Sequence, residues 1–177
     1  MWQSWMQSVE NHGIWLALGA VVLAVLLLAG CDARRIEQLE EGVSTETDVR
    51  KAMGEPERVW PEPDGARTFE YNRQPTGHRN YMITLAPDGV MRSLRQVLTP
   101  ENMATAAPGL EEEVLRRRFG KPARIVPYAL SGETDWVWHY LEDGNRSYSF
   151  TATLGRDGRL LRTSRTPDPT NDAPDTR

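Results

Sequence analysis

Few side chains in this 177-residue chain could do chemistry, and they do not converge. There are three histidines, His12, His78 and His139, and one cysteine, Cys31. A single cysteine forms no internal disulfide and no cysteine-based metal cluster. His139 stands in an alternating aromatic run, Trp136-Val137-Trp138-His139-Tyr140, and reads as a strand position rather than a ligand. His78 has no cysteine nearby and no second histidine at metal spacing. The 25 acidic residues are scattered, so pairing any two as acid and base would be arbitrary. No nucleophile elbow, phosphate loop or zinc-protease motif occurs. No catalytic residue and no metal ligand is assigned, and the chain does not read as an enzyme. Its formal charge of −4 is spread thinly, with no basic block for nucleic acid. One loop does carry contact chemistry. "NRQPTGHRN" (72–80) sets Arg73, Gln74 and His78 between two strand-like runs, and it is longer than a plain hairpin needs.

Cys31 has a different context. Ile14 to Gly30 is an uncharged run, mostly Leu, Val and Ala, and the chain turns polar directly after it. Its length suits a signal-peptide core or a minimal membrane span. Leu28-Ala29-Gly30-Cys31 resembles the lipobox of bacterial lipoprotein precursors. That resemblance implies cleavage before Cys31 and acylation there, with 1–30 as signal peptide and 31–35 as a lipidated tether. More than one acyl chain anchors a protein firmly, at roughly 0.8 kcal/mol per buried CH₂. Residues 1–13 lack Lys and Arg, and Trp2, Trp5 and Trp15 would also suit a bilayer interface, as in an uncleaved helix.

The elements that must position the loop belong to a repeat. "VRKAMGEPERVW" (49–60) aligns with "LRRRFGKPARIV" (115–126), Gly54 matching Gly120 at an offset of 66. "TFEY" (68–71) matches "VWHY" (137–140), and "LAPDG" (85–89) matches "LGRDG" (154–158), both at 69. The expected units are 36–97 and 98–165, each of short helices on a three- or four-stranded antiparallel sheet, an α+β fold. Ser44 reads as the cap of a helix with acids first and bases last. Gly54 and Gly120 stand just past helix ends, each two residues before a Pro. Thr99-Pro100 reads as a cap and first helical residue. Asp88-Gly89 and Asp157-Gly158 read as hairpin turns. The end, 166–177, is rich in Pro and Asp and is expected to be disordered.

The lipobox, "MGEP" and "FGKP" after helices, the strand "FEY" and the loop together resemble the SmpA/OmlA (BamE-like) family of small outer-membrane lipoproteins. Arg73, Gln74, Pro75, Gly77 and His78 resemble its Arg-Gln-x-Pro-Gly-His stretch, with Thr76 extra. The resemblance covers 36–97 well and 98–165 faintly, where "LEDGNRS" (141–147) replaces the loop. It implies no cofactor and an accessory role in β-barrel assembly, at the periplasmic face of the outer membrane. It also implies contacts with assembly-machine subunits and with anionic phospholipid. Arg73, Gln74 and His78 are then the partner contacts, supported by Phe69 and Tyr71. Asp32 after the anchor retains lipoproteins at the inner membrane in some bacteria. The doubling also resembles the layout of β-lactamase inhibitory protein. That implies an alternative: a tethered binder or inhibitor of a periplasmic enzyme that grips through a concave double-sheet face, with Trp136, Trp138 and Tyr140 exposed.

If Cys31 is the anchor, intact mass of membrane-extracted protein will show a chain that starts there and carries acyl groups, and Cys31→Ala will leave an uncleaved precursor. A mass that retains residues 1–30 would contradict this.

Overall fold

The computed structural model describes residues 35–142 and 146–168. The signal segment, Cys31, Asp32 and most of the tail lie outside them. Two four-stranded antiparallel sheets follow one another as meanders. The first unit holds α1 (Glu46–Met53), β1 (Arg58–Pro61), β2 (Arg67–Asn72), β3 (Asn80–Leu85) and β4 (Met91–Gln96). The second holds α2 (Pro100–Met103), α3 (Glu112–Phe119), β5 (Arg124–Tyr128), β6 (Glu133–Glu142), β7 (Arg146–Leu154) and β8 (Leu160–Pro167). The fold is α+β in two tandem units.

The repeat holds in backbone detail except along β2, where the cross-strand register makes Phe69, Glu70 and Tyr71 equivalent to Trp136, Val137 and Trp138, an offset of 67 instead of the 69 read from TFEY and VWHY. Isolated bridges join Thr45 to Val90 and Glu111 to Arg159, the two pairs separated by the same offsets of 66 and 69. Each last strand carries a bulge at one place, opposite Thr84/Leu85 in β4 and opposite Thr153/Leu154 in β8. Gly89 and Gly158 take positive φ in the Asp-Gly turns. Each helix buries one stripe on its own sheet. Val49 and Met53 of α1 pack with Phe69, Tyr71, Ile83 and Leu85. Leu115 and Phe119 of α3 pack with Trp136, Trp138, Tyr140 and Phe150. The three aromatics of β6 are thus core, at 5%, 0% and 0% exposure.

Two local expectations need correction. The cap of α1 is Thr45, not Ser44. Asp48 lies three residues on and returns a carboxylate to the Thr45 amide, completing a capping box. Ser44 is buried and accepts from the Glu40 amide instead. Thr166 and Pro167 are also not tail. They continue β8 opposite Ser149 and Tyr148, because β7 runs long enough to pair them.

Gly54 and Gly120 both end helices with φ of 83° and 74°. Their surroundings differ. A Cβ on Gly54 would meet nothing within 4 Å, whereas one on Gly120 would stand 2.9 Å from Asn80 Nδ2. Gly54→Ala is therefore expected to cost only backbone strain, about 1 kcal/mol. Gly120→Ala should cost at least twice that, since Asn80 must also move. Urea unfolding of the two variants measures the gap, and equal losses would contradict it.

Candidate functional site

The two units are joined by the outer face of sheet 1, the face away from α1. Cross-strand register places Arg58, Glu70, Met82 and Arg95 in one row of that face and Trp60, Thr68, Thr84 and Ser93 in the next. On it sits α3 of the second unit, so α3 has one sheet on either side. Glu70 is fully buried. It takes the Arg116 guanidinium at 2.9 Å, the Lys121 amide at 2.9 Å and the Trp60 indole N–H at 3.2 Å. A carboxylate removed from water needs this many donors. Trp60 is held between two cations, Arg58 at 4.1 Å and Arg117 at 5.0 Å from the ring centroid. Arg117 also donates to the Pro61 carbonyl at 2.9 Å, and Lys121 Nζ reaches Glu57 at 2.7 Å.

The end of α3 shows how closely the units fit. A helix leaves its last carbonyls without partners. Here side chains supply them: Asn102 reaches the Arg118 carbonyl at 3.1 Å, and Trp138 the Gly120 carbonyl at 3.0 Å. Asn80, from the first unit, donates to Phe119 at 2.9 Å and Lys121 at 3.1 Å. Asn80 is itself fully buried, and its oxygen accepts the Arg73 amide.

The loop after β2 completes the joint. β5 covers β6 only as far as Val137. Beyond it, the Gln74 carboxamide pairs with the exposed edge, donating to the His139 carbonyl at 2.8 Å and accepting its amide at 3.1 Å. Nε2 of Gln74 also reaches the Gly77 carbonyl at 2.9 Å. A Cβ at Gly77 would lie 2.8 Å from the Arg73 carbonyl oxygen, so only glycine closes this turn. His78 Nε2 meets Ser147 Oγ at 3.0 Å. Ser147 also donates to Asp168, whose carboxylate lies 3.8 Å from His139 Nδ1.

The loop expected to present Arg73, Gln74 and His78 to a partner therefore turns two of them inward, onto the second unit. Sequence reading treated Gln74 and His78 as surface groups because amide and imidazole suit an internal joint and an external one equally. Phe69 and Tyr71 are also corrected: at 0% and 2% exposure they belong to the core. The Tyr71 hydroxyl donates to the Gly54 carbonyl at 3.1 Å, and burial pushes its pKa to about 12. Of Arg73, Gln74 and His78, only the Arg73 side chain makes neither a hydrogen bond nor an ion pair among the described residues. Glu70 and Asn80 were missed altogether. Cys31 lies outside the described residues.

Beside the joint, an open groove of about 870 Å³ runs between sheet 1 and α3, with Trp60, Met82 and Val114 among its lining. No group of three His, Cys, Asp or Glu among the described residues could hold a metal ion.

No protein family and no curated protein matches the chain. A solved structure, a DUF4309 family protein (YjgB) from Bacillus subtilis, is similar at 24% identity. The match covers 74% of this chain and 83% of that one, with a TM-score of 0.29.

Removing one partner of a buried ion pair strands the other, typically at 3–5 kcal/mol. Arg116→Met is expected to lose about 3 kcal/mol, whereas Glu70→Leu with Arg116→Met should recover much of that loss. Gln74→Ala is expected to cost about 1–2 kcal/mol through the unpaired β6 edge, and Arg73→Ala less than about 0.5. Chemical denaturation of the four variants checks the order. Equal stability of Gln74→Ala and the parent would remove the loop from the joint.

Proposed function

We propose that the protein is a lipid-anchored accessory protein that works by contact, not catalysis, in outer-membrane β-barrel assembly at the periplasmic face. One observation carries the contact part of this reading: the sheet of this unit already grips protein. The outer face of sheet 1 holds a helix end through Glu70, Asn80 and Trp60. The outer face of sheet 2 carries no helix among the described residues, and its half-exposed part around Ser149 and Thr151 is the surface proposed for a partner. The membrane part rests on Leu28-Ala29-Gly30-Cys31, and the assembly role on the resemblance of the 73–78 loop to the SmpA/OmlA family. Arg73 is the loop residue positioned to meet a partner carboxylate or a lipid phosphate.

The alternative, an inhibitor-like binder with a concave aromatic face, has less support. Trp136, Trp138 and Tyr140 are core, and the two sheets lie on opposite sides of α3 instead of forming one face.

Affinity capture of the membrane-anchored protein, with mass spectrometry of its companions, tests the proposal. Barrel-assembly subunits should be recovered, and Arg73→Ala should reduce their recovery at least tenfold with an unchanged melting temperature. Recovery of one soluble enzyme would support the binder, and unchanged capture by Arg73→Ala would exclude that residue as a contact.

A further inference from the structure

The first hairpins of the two units match in register, Pro61 facing Arg67 as Pro127 faces Thr134, so their tips compare directly. Unit 1 turns through Glu62-Pro63-Asp64-Gly65-Ala66, and unit 2 through Tyr128-Ala129-Leu130-Ser131-Gly132-Glu133. A tip with an acid at its apex has become one with a leucine there, and Leu130 is 100% exposed. A lone exposed leucine is ordinary. This one has company. Of the seven large apolar side chains exposed among the described residues, four belong to this end of sheet 2. Tyr128 and Leu130 stand on the hairpin. Ile125 shares a shallow recess with Gly132 and Arg156, and Leu161 lies against Gly155 in the neighbouring turn. Clustered exposed apolar groups mark a protein or membrane contact.

The neighbouring turn has changed together with the tip. Arg156 stands where unit 1 has Pro87, each beside the glycine of its hairpin, Gly132 or Gly65. A Cβ on Gly132 would run into the Arg156 side chain, so glycine here makes room for it. The guanidinium lies across the tip, Nε donating to the Ser131 carbonyl at 3.1 Å and Nη2 to the Leu130 carbonyl at 3.4 Å. The Gly132 amide donates to the Tyr128 carbonyl at 2.7 Å, and the Glu133 amide to Ser131 Oγ at 3.2 Å. The carbonyls of Tyr128, Leu130 and Ser131 are thus satisfied from within the protein. Backbone that leaves water for lipid needs its polar groups paired in this way, whereas a solvated tip does not. Arg156 has no carboxylate partner among the described residues. Its charge is left for an outside anion, and an arginine stem lying on an apolar surface can carry its head to a lipid phosphate. Tyr128 beside it is a residue type that favours the membrane interface.

We propose that the hairpin between β5 and β6 is a second membrane contact, in which Leu130 enters the lipid surface, Tyr128 lies at its edge and Arg156 pairs with a lipid phosphate. The proposal rests on the lipid-anchored reading above for delivery to that surface: Arg35 is four residues past Cys31, at most about 14 Å of extended chain, so the body is held against the bilayer.

The full-length chain in vesicles of equal phosphatidylcholine and phosphatidylglycerol tests this, with a nitroxide on Ala129→Cys, which leaves Leu130 in place. Collision with oxygen, enriched in lipid, and with a nickel chelate, confined to water, reports the depth. The oxygen-to-nickel ratio at 129 should exceed that of Pro63→Cys, the matching position in unit 1, at least tenfold. Adding Leu130→Glu should return the ratio to the Pro63→Cys value, and adding Arg156→Ala should lower it at least threefold. Unchanged melting temperatures show that all of these fold. The parent, carried through labelling, tests the anchor separately, because an acylated Cys31 takes no nitroxide. A labelled parent refutes the anchor, and the same comparison in Cys31→Ala, attached through its uncleaved apolar run, then decides the hairpin alone. Equal ratios at 129 and 63 would overturn the proposal, since the tip is then in water. So would a label shielded from both reagents, which places the tip against protein. A ratio indifferent to Leu130→Glu would overturn it equally.

Discussion

A buried carboxylate sets the terms for the rest of the molecule. Glu70 is a charge without water, and its desolvation costs several kcal/mol unless donors replace the solvent. Two of its three donors, Arg116 and the Lys121 amide, belong to the other unit. Neither unit alone satisfies it. The same holds for Asn80, whose carboxamide nitrogen has its acceptors at the end of α3. A unit of about 60 residues is marginal by itself. Placing polar groups of one unit where only the other can satisfy them makes the pair fold as one body and fixes the angle between them.

That rigidity bears on how the molecule can act. A stiff two-unit body presents a defined surface, so any contact it makes would cost little ordering entropy. It also changes the meaning of the loop at 72–80. Here Gln74 extends the edge of β6 and His78 reaches Ser147, so the loop is a strap across the joint. The second unit lacks this loop motif, and no helix among the described residues packs on the outer face of its sheet.

Much of the fold was legible because the repeat is written in residues with local conformational demands. Glycines past helix ends need positive φ, and Asp-Gly turns need a left-handed residue; neither depends on distant contacts. The alternation in β6 announced a strand by period alone, and the packing of α3 decides that its aromatic face is core. The capping error at Ser44 was local too, and the deciding signal was present: Asp48 stands three residues after Thr45, not after Ser44. The joint was not legible. Glu70 and Arg116 are 46 residues apart, and each looks like an ordinary solvent-facing residue on its own element. What could have flagged them is a break in the repeat, since Glu70 and Asn80 have no like residue at the equivalent positions, Val137 and Ser149. A polar group that one copy keeps and the other does not marks a role outside the unit's own fold.

The central claim is that the two units form one body through these buried polar groups. Native-state hydrogen exchange at the Lys121 amide tests it most directly. That amide lies just past α3, where a free chain exchanges quickly, and its protection comes from Glu70 in the other unit. If the units are one body, it will exchange only through global unfolding, with the same free energy as the core amides of β6. Exchange at the rate of an exposed loop, with β6 still protected, would show units that move apart, and would contradict the account.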